Sequence, residues 1–350
     1  MTVELRLVRG MDPDPAMREI EAQLAGALAA TAPRGCAVDT IAPADAEDVP
    51  AEERSGSSRR TLEAAWRAGV TGGAGKGLVH SVSVLAPLVR HDRVHDGDQA
   101  VVTLWGLSPS ERSGTGDRAA KAFLRRAERF ADAVVLPAHA LVAVLERHAP
   151  RLVPRVRVIA GAPPAGYAVP TDAVGRRRAL GVPEGAVVVA AAGATDAELE
   201  GALAAARGAA SDVAVLDVGE ARAEAVRLLG AGAGFAPEHV HVLGAAEPFD
   251  RAALLGSAPL LIAPSTAPAF PWRAVEALAV GTPVVAAASR IHDEVLLDGA
   301  LLAGDDPTDA VRRVLDPAER ERWAVRAADR GRTFAWRDHA ERVWALHAEL

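Results

Sequence analysis

Residues 263–290, APSTAPAFPWRAVEALAVGTPVVAAASR, hold the best candidate chemistry in the chain. A strand ends near Pro264, a loop carries Ser265 and Thr266, and a helical pattern over 272–279 holds Glu276 one turn in. A Gly-Thr-Pro turn at 281–283 leads into the next strand. Helix N-termini present free N–H groups and the positive end of a dipole, a setting that suits phosphate. The two hydroxyls can add hydrogen bonds, and a carboxylate can accept from sugar hydroxyls. The bland alternative is an ordinary strand-loop-helix with Glu276 as a solvated helix residue.

Two other phosphate motifs fail. A Walker A loop needs glycine, four residues, then Gly-Lys-Ser/Thr. In GVTGGAGKGLVH, residues 69–80, Val70 stands at the first glycine and Gly77 follows Lys76. A dinucleotide G-x-G-x-x-G would need glycine where Leu78 stands. The stretch reads as a flexible loop before a strand.

The elements that must position such a loop alternate along the chain. Strand patterns are expected at 3–8, 37–41, 78–80, 100–104, 133–136 and 156–159, with helices at 14–30, 59–68, 117–131 and 138–147. Residues 160–175, AGAPPAGYAVPTDAVG, are rich in proline and glycine and read as a linker. Alternation then resumes, with strands at 187–192, 213–216, 239–243, 260–262 and 284–286 and helices at 197–206, 221–229, 251–255 and 272–279. The tail from 310 reads as two or three helices. Such alternation predicts βαβ units and parallel sheets, here in two α/β halves. Ligands of doubly wound sheets bind at the carboxyl ends of strands.

Composition narrows the class. A length of 350 residues suits two domains, and 50% apolar residues suffice for two cores. A net charge of −7 speaks against nucleic acid as a partner. The single cysteine, Cys36, excludes an internal disulfide framework and a cysteine cluster for zinc. The opening MTVELRLVRG is a strand pattern and not a signal peptide, and no apolar run of about 18 residues predicts a membrane span. The expected compartment is the reducing cytoplasm.

From HVHVLGAAEPFDRAALLGSAPLLIAPS through AVEALAVGTPVVAAASRIHDEVLLDGALLAGDDPTDAVRRVL, the chain resembles the family 4-like, or group 1, nucleotide-sugar-dependent glycosyltransferases. The matching features are ordered: Leu243-Gly244 after a strand, Pro264-Ser265, Glu276-Ala277-Leu278, the 281–285 turn and strand, and DGALLAGDDP at 298–307. Upstream, VVLPAHALVAVLERHAPRLVPRVRVIAGAPP and GLVHSVSVLAPLVRHDRVHDGDQAVVTLWGLSP resemble the family's N-terminal half.

The resemblance implies a GT-B fold: two Rossmann-like, doubly wound α/β domains facing a cleft, with a C-terminal helical tail. The expected boundaries are 1–162 for the acceptor domain, 163–330 for the nucleotide-sugar domain and 331–350 for a helix returning to the first. It implies transfer of a hexose from a nucleoside-diphosphate sugar to an acceptor hydroxyl, with retention, without a metal or other cofactor. The implied setting is bacterial polysaccharide or glycolipid synthesis with a glycan or lipid acceptor. Donor residues would be Glu276 on the ribose, Gly244 near the base, Gly193 and Thr195 beside the diphosphate, and Ser265, Thr266, Ala269 and Phe270 in the donor loop. His80 and Trp105 would border the acceptor; the alternatives are a satisfied strand-end histidine and a core-edge tryptophan. No catalytic residue is assigned.

Three departures qualify that picture. The first glutamate of the family's E-x7-E pair would fall at position 268, which is Pro268. The basic pair expected after the first strand of the second half is missing from AAAGATDAELEG, residues 190–201, where Asp196, Glu198 and Glu200 stand instead. Relatives carry His-Asp or His-Glu where this chain has Trp105-Gly106. Cationic clamps stabilise a leaving diphosphate, so their loss slows transfer. Arg273 and Arg290 flank the loop and are candidate replacements or surface residues. The second expectation is therefore a catalytically inactive relative that serves as a protein partner or scaffold.

Overall fold

The computed structural model describes residues 2–12, 14–71, 74–83, 85–91, 97–107 and 116–350, the side chains of 116–120 excepted. Positions 92–96 and 108–109, inside the matched N-terminal stretch, lie outside these residues.

The chain divides into two compact units. The first comprises the chain to Gly161, Pro268–Phe270 and Trp336–Leu350. It contains β1 (Val3–Val8), α1 (Pro15–Ala30), β2 (Cys36–Ile41), α2 (Arg59–Ala68), β3 (Leu78–Ser81), β4 (Gln99–Thr103), α3 (Gly116–Phe130), β5 (Ala133–Leu136), α4 (Val142–His148) and β6 (Val156–Val158). The strands form one parallel sheet in the order β2-β1-β3-β4-β5-β6. Strand β5, AVVL, is buried along its whole length, as parallel strands covered on both faces must be. Asp14 caps α1, its side chain accepting from the Ala16 amide, and Pro15 fits the first helical turn. Gly69, at φ 82°, ends α2 in the left-handed conformation that glycine adopts without strain.

The second unit comprises Ala162–Ala267 and Pro271–Ala335. It contains α5 (Ala173–Ala179), β7 (Val187–Ala190), α6 (Asp196–Arg207), β8 (Val213–Leu216), α7 (Glu220–Gly232), β9 (Val240–Val242), α8 (Pro248–Ser257), β10 (Leu261–Ala263), α9 (Trp272–Ala279), β11 (Val284–Ala287), α10 (Arg290–Leu296), β12 (Ala300–Ala303), α11 (Thr308–Leu315) and α12 (Pro317–Gly331). Its parallel sheet runs β12-β11-β10-β7-β8-β9. Its core gathers Val187, Val189, Val213, Val215, Leu260 and Ile262 beneath α6 and α7. The strand order reverses between β7 and β10, which makes their carboxyl ends the topological switch point where such sheets take ligands.

A last helix, α13 (Trp336–Glu349), belongs to the first unit, where the Trp344 indole donates to the Leu28 carbonyl at 3.1 Å. Two elements of the second unit were not expected from the sequence: α10 and β12. Strand β12 is only ALLA, buried at its two ends, too short to display a period.

Candidate functional site in the second unit

The carboxyl ends of β7 and β10 meet closely. Gly193 turns at φ 72°, and a Cβ there would lie 3.0 Å from Ser265 Oγ and 3.2 Å from Ala267 Cβ. Only glycine gives both the positive φ and the space. Thr195 then caps α6 in a reciprocal capping box with Glu198. The same carboxylate reaches across to the β10 loop. Its Oε1 accepts from the Thr266 amide at 2.9 Å and the Thr266 hydroxyl at 2.6 Å. Its Oε2 accepts from the Thr195 amide at 2.7 Å and the Thr195 hydroxyl at 3.0 Å. Burial alone would raise the Glu198 carboxyl, but the Thr266 and Thr195 bonds override it and hold it below its usual range. Thus Gly193, Thr195, Ser265 and Thr266 come together at the switch point.

Glu276 sits deeper, 2% exposed. Arg251 holds it in a fork, with Nη2 donating to Oε1 at 2.7 Å and Nε donating to Oε2 at 3.0 Å. Arg273 donates to Oε1 at 2.5 Å, and the Tyr167 hydroxyl donates to Oε2 at 3.2 Å. Each carboxylate oxygen therefore has two donors, its full complement. Burial would raise this carboxyl; the Arg273 charge and the Arg251 bonds outweigh it and hold the group ionised. Burial pushes the Tyr167 hydroxyl up, and the Glu276 charge adds to that. Arg273 also forks onto Asp217, at 2.8 and 3.0 Å. Asp217 ends β8 at φ 62°, a left-handed conformation that carries strain outside glycine.

Two expectations about this region need correction. Glu276 is not a solvated helix glutamate, because its oxygens are saturated in a buried network. Arg273 is not a free cation for a diphosphate, because its guanidinium is divided between Asp217 and Glu276. Arg290 is exposed at the first turn of α10. Gly244 follows β9, exposed, with only the Val218 carbonyl, 3.6 Å away, near an added Cβ. The sequence reading missed Glu198, Arg251, Asp217 and Tyr167 as site residues. One signal was available: Arg251 interrupts the otherwise apolar face of α8.

The remaining candidates lie in the first unit. Phe270 is 3% exposed, and its amide donates to the Trp105 carbonyl at 2.8 Å. Ala269 forms an antiparallel bridge with Gly106, where an added Cβ would stand 2.8 Å from Ala269 Cβ. Trp105 is buried against Phe270, Trp336 and His339, with ring centroids 6.3, 6.0 and 5.4 Å away. It offers no open face on which a sugar could stack, so the acceptor-side assignment fails for Trp105.

It fails for His80 as well, which is 0% exposed within a hydrogen-bond relay. The Gln99 amide nitrogen donates to the His347 carbonyl at 3.1 Å, which turns its oxygen toward His347 Nδ1 at 2.9 Å. His347 Nδ1 must then carry the proton, and its Nε2 accepts from His80 Nδ1 at 3.3 Å. His80 Nε2 in turn accepts from the Thr103 hydroxyl at 2.9 Å. Both histidine rings of this relay are held in the neutral form. Burial lowers His80 well below its ordinary value, and it lowers His347 and His339 to about 4.

Among the described residues no group of three or more His, Cys, Asp or Glu is placed to hold a metal ion, and no helix is long and apolar enough to cross a membrane.

Comparison with known proteins agrees with the fold, and a family model matches the part of the chain that contains this site. Residues 192–319 match the family model described as glycosyl transferases group 1. No curated protein matches the chain. Among solved structures, HepE from Anabaena, in complex with UDP and glucose, matches at 16% identity over 100% of both chains, with a TM-score of 0.68. Sucrose-phosphate synthase from Thermosynechococcus elongatus matches at 20% identity, covering 99% of this chain and 98% of its own, with a TM-score of 0.67. WaaG, a glycosyltransferase involved in lipopolysaccharide biosynthesis, matches at 15% identity, covering 97% and 98%, with a TM-score of 0.68. The chain has the GT-B fold, and its residues 192–319 resemble a group 1 glycosyl transferase domain.

Proposed function

We propose that the chain is a glycosyltransferase that moves a hexose from a nucleoside-diphosphate sugar to the hydroxyl of a glycan or lipid acceptor, with retention. The observation that carries this reading is where the family match falls. Residues 192–319 begin at the carboxyl end of β7 and include the whole β10 loop, so they contain the switch point built by Gly193 and Ser265. The donor is a substrate there, and the reading needs no cofactor. Gly193, Thr195, Ser265 and Thr266 take the diphosphate side, and Gly244 leaves room for the base. A ribose hydroxyl reaches Glu276 by displacing the Tyr167 hydroxyl, the longest of the four bonds. The reducing cytoplasm is the compartment that the lone cysteine suits.

A second reading has its own observation. Glu198 puts a carboxylate where a diphosphate needs cations, and Arg273 is engaged by Asp217 and Glu276. A glycosyltransferase-like partner or scaffold without transfer activity would tolerate both.

Calorimetric titration with UDP, GDP and their glucose and mannose conjugates tests the first reading. Binding of one nucleotide with a Kd below about 100 μM, roughly 5 to 6 kcal/mol, is expected. No binding of any of them sinks the donor site. Tight binding without release of nucleotide in the presence of a glycan or lipid acceptor pool favours the scaffold.

A further inference from the structure

Glu198 is joined to two loops that approach from separate strands. Its bond pair to Thr195 is ordinary helix capping. Its bond pair to Thr266, 68 residues away, is not needed by the helix and ties the β10 loop to α6. The neighbouring carboxylate of Asp196 is answered by Arg222 at 2.5 Å. Among the described residues no lysine or arginine pairs with Glu198. Its two oxygens therefore draw on amide and hydroxyl donors alone, the same kind of donors that a phosphate uses. An anion arriving at the switch point meets donors already taken and a like charge beside them.

We propose that Glu198 is a specificity-determining residue of the donor site: its carboxylate stands in for the donor's diphosphate, and a nucleotide sugar enters only when Glu198 leaves Thr266. This rests on the donor-site reading above. The resident carboxylate narrows the preference of the site for a nucleoside diphosphate over the bare nucleoside. It also keeps the β7 and β10 loops fastened while the site is empty. Displacement frees the Thr266 amide and hydroxyl for a phosphate oxygen, and the capping bond to Thr195 can persist.

The test is calorimetric titration of the full chain and of Glu198→Gln with uridine, guanosine, UDP, GDP and inorganic pyrophosphate. Like charges a few ångströms apart in a partly solvated site repel enough to change affinity on the order of tenfold. In the unaltered chain, UDP or GDP should bind no more than about threefold tighter than its nucleoside, since the repulsion offsets the phosphate contacts. Glu198→Gln should bind the diphosphate and pyrophosphate on the order of tenfold tighter, with nucleoside affinity unchanged. Glu200→Gln, which removes an exposed charge from the same helix, should change each affinity less than about twofold. Equal affinities in the unaltered chain and Glu198→Gln, or weaker diphosphate binding in the variant, overturn the proposal and leave the donor reading standing. Pyrophosphate gained by the variant without any nucleoside or nucleotide binding upholds Glu198 and sinks the donor reading. Silence from every ligand with every protein sinks both.

Glu198→Ala keeps a good helix former at that position and gives the same comparison if glutamine disturbs the fold. The unaltered chain supplies a further check by amide NMR. The Thr266 resonance should move with UDP or GDP and stay in place with uridine or guanosine; movement with both alike overturns the displacement.

Discussion

Glu276 shows how one residue type can satisfy a family pattern and also serve as structure. Its carboxylate lies in a low-dielectric interior with a full set of donors, and Arg251 supplies two of them. Buried ion pairs repay their desolvation only when the geometry is complete, so removing one partner leaves an uncompensated charge. Arg251→Met keeps the volume but removes both bonds and the charge. It should destabilise the chain by about 3–5 kcal/mol, read as a lower urea midpoint with the slope unchanged. A change below about 1 kcal/mol would mean that water or Arg273 takes over the carboxylate. The strained Asp217 belongs to the same argument. Its left-handed backbone costs about 1–3 kcal/mol, and the fork onto Arg273 is what over-determines it.

At the scale of elements, the segment Pro268–Phe270 illustrates what replaces a lost motif. Its backbone joins the first unit through the Gly106 bridge, the Phe270 amide on the Trp105 carbonyl, and the Leu107 amide on the Pro268 carbonyl. Gly106 is required there by the closeness of Ala269. Gly106→Val should break the bridge and lower Tm by several degrees, with a stability loss of about 1–3 kcal/mol from overpacking. An unchanged Tm would mean that the segment shifts without cost. Much of this level was legible in sequence. Strands VVVA and VAVL of the second sheet and AVVL of the first alternate with helical patterns, and that alternation announced the parallel sheets. Other features depend on contacts between residues far apart in the chain. The reach of Glu198 to Thr266, the burial of Trp105 beneath Phe270 and the saturation of Glu276 by Tyr167 are tertiary facts with no local period to announce them. The acceptor-side assignments of His80 and Trp105 failed for that reason: both stand at strand ends, but helix α13 and the 268–270 segment cover them.

At the scale of the molecule, acid should act on the first unit through buried titrating groups unequal in number and opposite in sign, and His292 of the second unit is lowered by burial in the same direction as the histidines among them. His347 and His339 are lowered by burial from their ordinary value of 6.5 to about 4, and His80 is lowered further in the same direction. A group lowered in this way favours the folded state above about pH 6.5 and loses that contribution as pH falls toward 4. For a shift of that size the loss is about 3 kcal/mol per histidine. Glu21 opposes them. Burial raises it from 4.5 to about 7, against the Gly10 amide bond that lowers it. Its contribution is present below about pH 4.5 and lost as pH rises toward 7, again about 3 kcal/mol. His347 and His339 against Glu21 leave a net loss of a few kcal/mol between about pH 6.5 and 4.5, and His80 adds to it in the same direction. The relay sharpens the effect, because His80 Nε2 and His347 Nε2 must both accept: a proton on His347 Nε2 breaks the bond that fastens α13 to β3, and one on His80 Nε2 disrupts the Thr103 bond between β3 and β4. Urea midpoints followed by tryptophan fluorescence should therefore fall steadily as pH goes from 7 to 4.5. His347→Gln should have a lower midpoint at pH 7 and a shallower dependence on pH. A midpoint that holds level or rises over that range would show that Glu21 and the surface carboxylates outweigh the buried histidines.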